Sequence, residues 1–194
     1  GEGIVNRPAI EARDGGGVYA EDEAALYSCL FVSNRADSGG GFSLTNAAVA
    51  YNATVVHNNA VENGGGIAIA GGSVWNTIVW DNAAATHANI WSASSNVFNF
   101  GCATPDPGGS QNVVDVPLLL DDFSIAPESP CVDAGTNFAW MTAAYDLAGE
   151  PRMQGEAVDM GAFETLPEPS LILGLIGMAW IGVCRRRSLE HHSS

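Results

Sequence analysis

Three nine-residue segments decide the fold: LYSCLFVSN (26–34), AYNATVVHN (50–58) and VWNTIVWDN (74–82). They align without gaps, so an aromatic residue and a closing asparagine both recur every 24 residues. A glycine triplet precedes each segment, in GGGVYA (15–20), GGGFSL (39–44) and GGGIAI (64–69), with offsets of 24 and 25 residues. Agreement at two separate places in the unit indicates a structural repeat.

The repeat predicts strands, because its apolar residues alternate with a period of two and no helical pattern lies between them. Two short strands per unit cannot bury a face alone, so successive units must stack as coils about 4.8 Å apart. The predicted fold is all-β, a right-handed parallel β-helix with coils of about 24 residues. We expect these side chains to point inward: Val18, Ala20, Cys29, Phe31, Phe42, Leu44, Ala53, Val55, Ile67, Ile69, Thr77 and Val79.

Stacked coils place equivalent turn residues above one another, so Asn34, Asn58 and Asn82 are predicted to form a hydrogen-bonded ladder. A second structural ladder is predicted for Ser28, Asn52 and Asn76. The alternative role for these side chains is direct contact with a glycan.

The aromatic residues Tyr27, Tyr51 and Trp75 share the same 24-residue period and should form a row along one edge of the coils. Flat rings in an outward row can stack on sugar faces, and Trp80 and Trp91 could widen that surface. The competing interpretation is that these rings cover the corner beside the asparagine ladder.

The excess of acidic residues in the chain excludes some classes of function. The chain has no Lys, and upstream of Pro167 it has four Arg against twenty Asp and Glu, a net charge of −16. Such a surface repels phosphate backbones, so a nucleic-acid partner is not expected. Its four His are not clustered, and we predict no catalytic residue in this chain. The alternative is a carbohydrate-active enzyme, a polysaccharide lyase or glycoside hydrolase, whose catalytic residues lie largely in a missing N-terminal part. The opening GEGIVNRPAI lacks Met and a signal segment, so we expect a C-terminal piece of a longer protein.

No cofactor is predicted apart from one candidate calcium site. An acidic residue precedes each glycine triplet (Asp14, Asp37 and Glu62), and Ca²⁺ would relieve their repulsion if they stacked. The alternative is that these acids are solvated and splayed. The cysteines show no zinc spacing. If the chain is exported, Cys102–Cys131 is the candidate disulfide; otherwise both are buried thiols.

Beyond residue 84 the period decays, and residues 85–165 are expected to form irregular coils and a cap. The motifs SPCVDAG (129–135), YDLAGEPR (145–152) and VDMGAFE (158–164) resemble the C-terminal signature of the bacterial choice-of-anchor Q domain, whose members end in varied surface anchors. Arg152 lies among Asp133, Asp146, Asp159 and Glu164 in sequence, and we expect it to act as a structural fork that pins the cap.

The stretch LPEPSLILGLIGMAWIGVCRRR (166–187) predicts the cellular localisation of the protein. Its uncharged run of thirteen residues, 171–183, would span about 20 Å as a helix, less than the roughly 30 Å of a hydrocarbon core. The arginines that follow would hold that end in the cytoplasm and place the solenoid outside. The motif resembles a PEP-CTERM sorting signal, carried by Pro167, Glu168, Pro169, Arg185, Arg186 and Arg187.

That resemblance implies an exported bacterial protein, anchored in the membrane through residues 170–184 until an exosortase processes it. An ordinary membrane tail anchor is the alternative. The predicted organisation is therefore regular coils (1–84), irregular coils and cap (85–165), sorting segment (166–187) and a tail (188–194). The predicted function is a non-catalytic cell-surface or matrix solenoid that is structural or contacts extracellular polysaccharide.

Overall fold

The computed structural model describes residues 12–165, and these form a parallel β-solenoid of short strands in four sheets. Sheet A contains β1 (Ala12–Asp14), β5 (Arg35–Ser38) and β9 (Asn59–Asn63). Sheet B contains β2 (Val18–Ala20), β6 (Phe42–Leu44), β10 (Ile67–Ile69) and β13 (Ile90–Ser92). Sheet C contains β3 (Ala25–Tyr27), β7 (Val49–Tyr51), β11 (Ser73–Trp75) and β14 (Phe98–Asn99). Sheet D contains β4 (Leu30–Val32), β8 (Thr54–Val56), β12 (Ile78–Trp80) and β15 (Cys102–Ala103).

The predicted stacking of successive repeats is confirmed. Each strand pairs in parallel with its counterpart in the next coil, so Tyr27 lies opposite Tyr51 and Phe31 opposite Val55. The prediction of two strands per repeat was wrong, because a complete coil contains four. Ser28, Asn52 and Asn76 adopt φ values of 47°, 50° and 51°, and this left-handed conformation divides the expected second strand into β-segments of sheets C and D.

The core lies inside the coils, and the residues expected to point inward are buried there, but so are the residues between them in β6, β8 and β10. Phe31, Phe42 and Val55 are fully buried, and the rings of Phe31 and Phe42 lie 5.0 Å apart. Val18, at the N-terminal end of the stack, is only partly buried. Glycine triplets permit tight corners: a Cβ on Gly40 would lie 2.2 Å from the carbonyl oxygen of Gly65. Backbone contact between coils therefore requires glycine at this position.

The last part of the described chain covers the side of the solenoid. Ile78 and Cys102 occupy paired positions on the outer face of sheet D, and they pack with Ile125, Cys131 and Met160 in a second apolar cluster. We call residues 125–165 the lateral cover; it includes one 3-10 turn, Ala139–Ala143.

Hydrogen bonds fasten the lateral cover along several coils. The Asn52 amide donates to Asp159 O at 3.1 Å, and Ala162 N donates to Thr54 Oγ1 at 2.9 Å. Irregular structure is therefore stabilised by the regular coils that it covers. No helix within residues 12–165 has the length and apolar character needed to cross a membrane. The predicted membrane helix at 170–184 lies outside the described residues.

Candidate functional site

The three periodic aromatic residues form a row on sheet C. The rings of Tyr27 and Tyr51 are stacked, with centroids 5.4 Å apart and planes 9° apart. Trp75 lies in register with Tyr51 in the next coil. The row continues to Phe100, whose ring lies 6.4 Å from that of Trp75. Its extension is thus Phe100 rather than the expected Trp80 or Trp91.

Residues of the lateral cover pack edge-on against this row. The Trp140 ring lies 4.7 Å from that of Tyr27, and the Phe138 ring lies 5.1 Å from that of Tyr51 and 5.6 Å from that of Trp75. Burial raises the pKa of Tyr51, and the neighbouring Tyr27 adds to the rise. Tyr27 remains 46% exposed, whereas Tyr51 and Trp75 are half-buried. Much of the row therefore serves as a docking surface for the cover.

A different face of the solenoid carries an open trough with an aromatic ring at each end. On the outer face of sheet B, Tyr19, Ser43, Ala68 and Trp91 lie in one register line across four strands. The two aromatic residues enclose small side chains, since Ser43 and Ala68 are 4% and 5% exposed. Tyr19 is 49% exposed. A cavity of about 240 Å³ lies along this line, and we call it the sheet B trough.

Polar residues of sheet A form one wall of the sheet B trough. Asp14, Ser38 and Asn63 are aligned across three strands and line the cavity. Asn63 Oδ1 is buried and has no hydrogen-bond partner within residues 12–165. The trough thus offers two rings for stacking beside a polar wall. Sequence reasoning missed it, because the register positions between Tyr19 and Trp91 are occupied by Ser43 and Ala68, so no aromatic residue recurs from coil to coil.

The first asparagine ladder runs through the corner between sheets D and A. Asn58 Oδ1 accepts from the backbone N and Nδ2 of Asn34, at 2.8 and 3.0 Å. Asn82 Oδ1 accepts in the same way from Asn58, at 2.8 and 3.0 Å. Asn89 adds a fourth rung below Asn82. It was not predicted, because it follows Asn82 by only seven residues. Buried amides therefore bridge consecutive coils.

Asparagine side chains of the second predicted ladder mainly form hydrogen bonds that hold the lateral cover against the coils. Only one contact joins its members, from Asn76 Nδ2 to Asn52 Oδ1 at 3.4 Å. Asn76 also donates to Thr136 O at 2.9 Å and accepts from Thr136 N at 2.8 Å. Ser28 is buried at the equivalent position of the first coil.

The three acids of the candidate calcium site do not stack as expected. Asp14 lies opposite Ser38, and Ser38 lies opposite Asn63. Asp37 is therefore one position out of line with Asp14 and lies on the other side of the strand. Glu62 is likewise displaced from Asn63 by one residue. Within residues 12–165 no group of three or more His, Cys, Asp or Glu side chains could hold a metal ion.

A buried charge cluster lies in the lateral cover around Arg152, which is 0% exposed. Its guanidinium lies 3.1 Å from Glu164 and donates to the carbonyl oxygens of Ala162 and Gly161. Burial lowers the pKa of Arg152 and raises the pKa of Glu164 to about 8, although Arg152 opposes the rise. The guanidinium therefore holds the backbone of the lateral cover in place. It makes one carboxylate contact instead of the expected bidentate pair.

Asp146 and Asp159 complete the cluster by accepting backbone hydrogen bonds. Asp146 accepts from Glu164 N at 2.8 Å, and Asp159 accepts from Thr165 N at 2.6 Å. Asp133, which we expected near Arg152, is exposed and contacts Asp159 through its backbone N. These carboxylates are engaged in holding loops together.

A second cavity, of about 400 Å³, is lined by His87, Ser92, Ser94 and Asp106 among others. Ser92 Oγ donates to Ser94 O at 2.6 Å, and Asp106 accepts from Gly108 N at 3.0 Å. Among the hydrogen bonds of residues 12–165, none joins His87 to these serines or to Asp106. A serine–histidine–aspartate relay is not assembled in this cavity.

The predicted sorting residues, Pro167, Glu168, Pro169 and Arg185–Arg187, lie outside the described residues. Comparison of the chain with protein-family models, with curated proteins and with solved structures found no match.

Proposed function

We propose that this chain is an exported bacterial β-solenoid of the cell surface or matrix that binds neutral polysaccharide without cleaving it. The proposal includes right-handed coiling and relation to the choice-of-anchor Q domain. It also includes membrane anchoring through residues 170–184, followed by exosortase processing at the Pro167-Glu168-Pro169 motif. Those parts rest on the sequence motifs quoted above.

The sheet B trough is the observation that carries the binding function. Three strand spacings separate Tyr19 from Trp91, which places their Cα atoms about 14 Å apart. An extended oligosaccharide could stack a ring on each aromatic residue while its central part lies over the small side chains of Ser43 and Ala68. Flat apolar sugar faces match aromatic rings, and sugar hydroxyls match the polar wall.

Charge favours a neutral ligand over an anionic one. The chain carries a net charge of −15, and Asp14 is exposed beside the trough. An acidic polysaccharide would be repelled unless a cation intervened. The exposed part of Tyr27 offers an additional contact on the original aromatic row, on the neighbouring sheet.

The test is affinity electrophoresis of the full chain in gels that contain neutral glucans, xylans or mannans. Trp91→Ala and Tyr19→Ala should each weaken binding about tenfold, which corresponds to about 1.4 kcal/mol. Tyr145→Ala is the matched control, because Tyr145 is 65% exposed but lies outside the trough. Equal binding by all three variants would remove the trough from the function.

The same preparations test the enzymatic alternative. Polysaccharides incubated with the protein would be assayed for new reducing ends and for unsaturated uronate products. Release of either would replace the non-catalytic proposal with a hydrolase or a lyase, respectively.

A further inference from the structure

Two cysteine side chains meet between sheet D and the lateral cover. Cys102 lies in β15, and Cys131 lies in the cover, 29 residues later. Both are 0% exposed and belong to the same apolar cluster. Each thiol shifts the pKa of the other, as expected for side chains that lie close together. Two parts of the chain that are distant in sequence therefore bring their sulfur atoms together.

Each cysteine is held in place by its own backbone contacts. Cys102 Sγ donates to Asp115 O at 3.3 Å. Cys131 N donates to Ser129 Oγ at 3.1 Å, and Cys131 O accepts from Met160 N at 3.0 Å. Interaction with Cys102 lowers the pKa of Cys131, whereas interaction with Cys131 and burial raise the pKa of Cys102.

We propose that Cys102 and Cys131 are a disulfide site that ties the lateral cover to the last coil. The proposal rests on the export part of the proposed function, because an oxidising compartment permits disulfides, but not on polysaccharide binding. A bond here would close a loop that spans the irregular part of the chain, where few strand pairs form. The disulfide would therefore stabilise the region that lacks the strand pairing of the repeat.

The oxidant is an external disulfide. The thiolate of one of the two cysteines attacks one sulfur of that disulfide, forms a mixed disulfide and releases one thiolate. The thiolate of the other cysteine then attacks the cysteine sulfur of the mixed disulfide, which forms the internal bond and releases the second thiolate. The two cysteines lose two protons and two electrons, and the external disulfide is reduced to two thiols.

Burial predicts when this reaction occurs. With both thiols inaccessible, the external disulfide reaches them before the lateral cover docks or when it opens. Oxidation of the folded, reduced protein should therefore be slow and should accelerate in moderate urea. Cys29 provides the internal comparison, because it lies in the core of the coils and its Sγ donates to Tyr27 O at 3.2 Å.

The experiment starts from the full chain, reduced and then incubated with oxidised glutathione with and without moderate urea. Remaining thiols are alkylated under denaturing, non-reducing conditions, and the protein is digested and analysed by mass spectrometry. Trypsin cannot separate the two cysteines, because no Arg or Lys lies between Arg35 and Arg152. An Asp- and Glu-specific protease can, since Asp115 and Glu128 lie between them.

A linked pair of peptides that contain Cys102 and Cys131, lighter by two hydrogen atoms, is the expected result. The oxidised protein should also melt at a higher temperature than the reduced protein. Cys29→Ser should retain both the link and the shift in melting temperature, and Cys102→Ser should lose both. Full alkylation of Cys102 and Cys131 after oxidation in urea, or a link through Cys29, would overturn the proposal.

The peptide map of the wild-type chain decides the matter even if Cys102→Ser fails to fold. Loss of glycan binding in the trough variants would leave the disulfide result unchanged, so the two proposals fail separately.

Discussion

Asn58 is a middle rung of the first ladder, and Asn58→Ala tests the stacking energetically. Asn58 is 1% exposed. Its Oδ1 accepts two hydrogen bonds from Asn34, and its Nδ2 donates to Phe31 O, Val56 O and Asn82 Oδ1 at 2.9, 3.0 and 3.0 Å. Alanine would remove all five hydrogen bonds.

The cost follows from the groups left behind. The backbone N and Nδ2 of Asn34 would lose the hydrogen-bond acceptor that they share, and Asn34 is 2% exposed. A buried donor without a partner costs about 1–3 kcal/mol, so two such donors should lower the free energy of unfolding by about 2–6 kcal/mol. Asn34→Ala is the graded comparison, because the Asn34 side chain makes one of these bonds and its Oδ1 has no partner within residues 12–165. It should cost about 1 kcal/mol.

Urea denaturation followed by far-ultraviolet circular dichroism measures both changes. Asn59→Ala controls for substitution at the same corner, since Asn59 is exposed, and it should change stability by less than about 0.5 kcal/mol. Equal midpoints for Asn58→Ala and Asn34→Ala would refute the ladder as a source of stability. So would an Asn58→Ala midpoint equal to that of Asn59→Ala.

Three further predictions concern the cover, the corners and the sorting segment. Because the pKa of Glu164 is raised from 4.5 to about 8, its contribution to stability is fully present below pH 4.5 and is lost as pH rises to about 8. The free energy of unfolding of the wild type, measured by urea denaturation, should therefore fall relative to that of Glu164→Gln over this range, by at most about 1.4 kcal/mol per pH unit. A constant difference between the two proteins would contradict the assignment. Gly40→Ala should lower the melting temperature strongly, because the alanine Cβ would lie 2.2 and 2.6 Å from the backbone oxygens of Gly65 and Asn59. An unchanged melting curve would be inconsistent with the close contact between coils. In a host with an exosortase, mass spectrometry should find surface protein without Arg185–Arg187, and an intact C-terminus would indicate a tail anchor.

The regular coils could be predicted because their energetic requirements repeat. Each coil needs an inward residue such as Phe31 or Val55, a corner amide such as Asn58, and glycine where backbones approach. Stacking imposes these requirements at nearly constant spacing, so the sequence carries a period. The number of strands per coil was missed for a local reason. Alternating polarity continues through Ser28, but its positive φ turns the chain there.

The lateral cover could not be predicted in this way, because it depends on contacts that occur once. The sheet B trough lies on a register line of the repeat, but it was missed because aromatic residues stand only at the two ends of that line. Trp140 packs against Tyr27 across more than a hundred residues of sequence, and no period relates the two. A row of periodic aromatic residues was therefore an ambiguous signal: stacked rings on a solenoid can bind a sugar or the protein's own chain. Here Phe138 and Trp140 occupy much of that row, whereas the trough between Tyr19 and Trp91 remains open. Binding variants of this protein should accordingly be directed first at Tyr19 and Trp91.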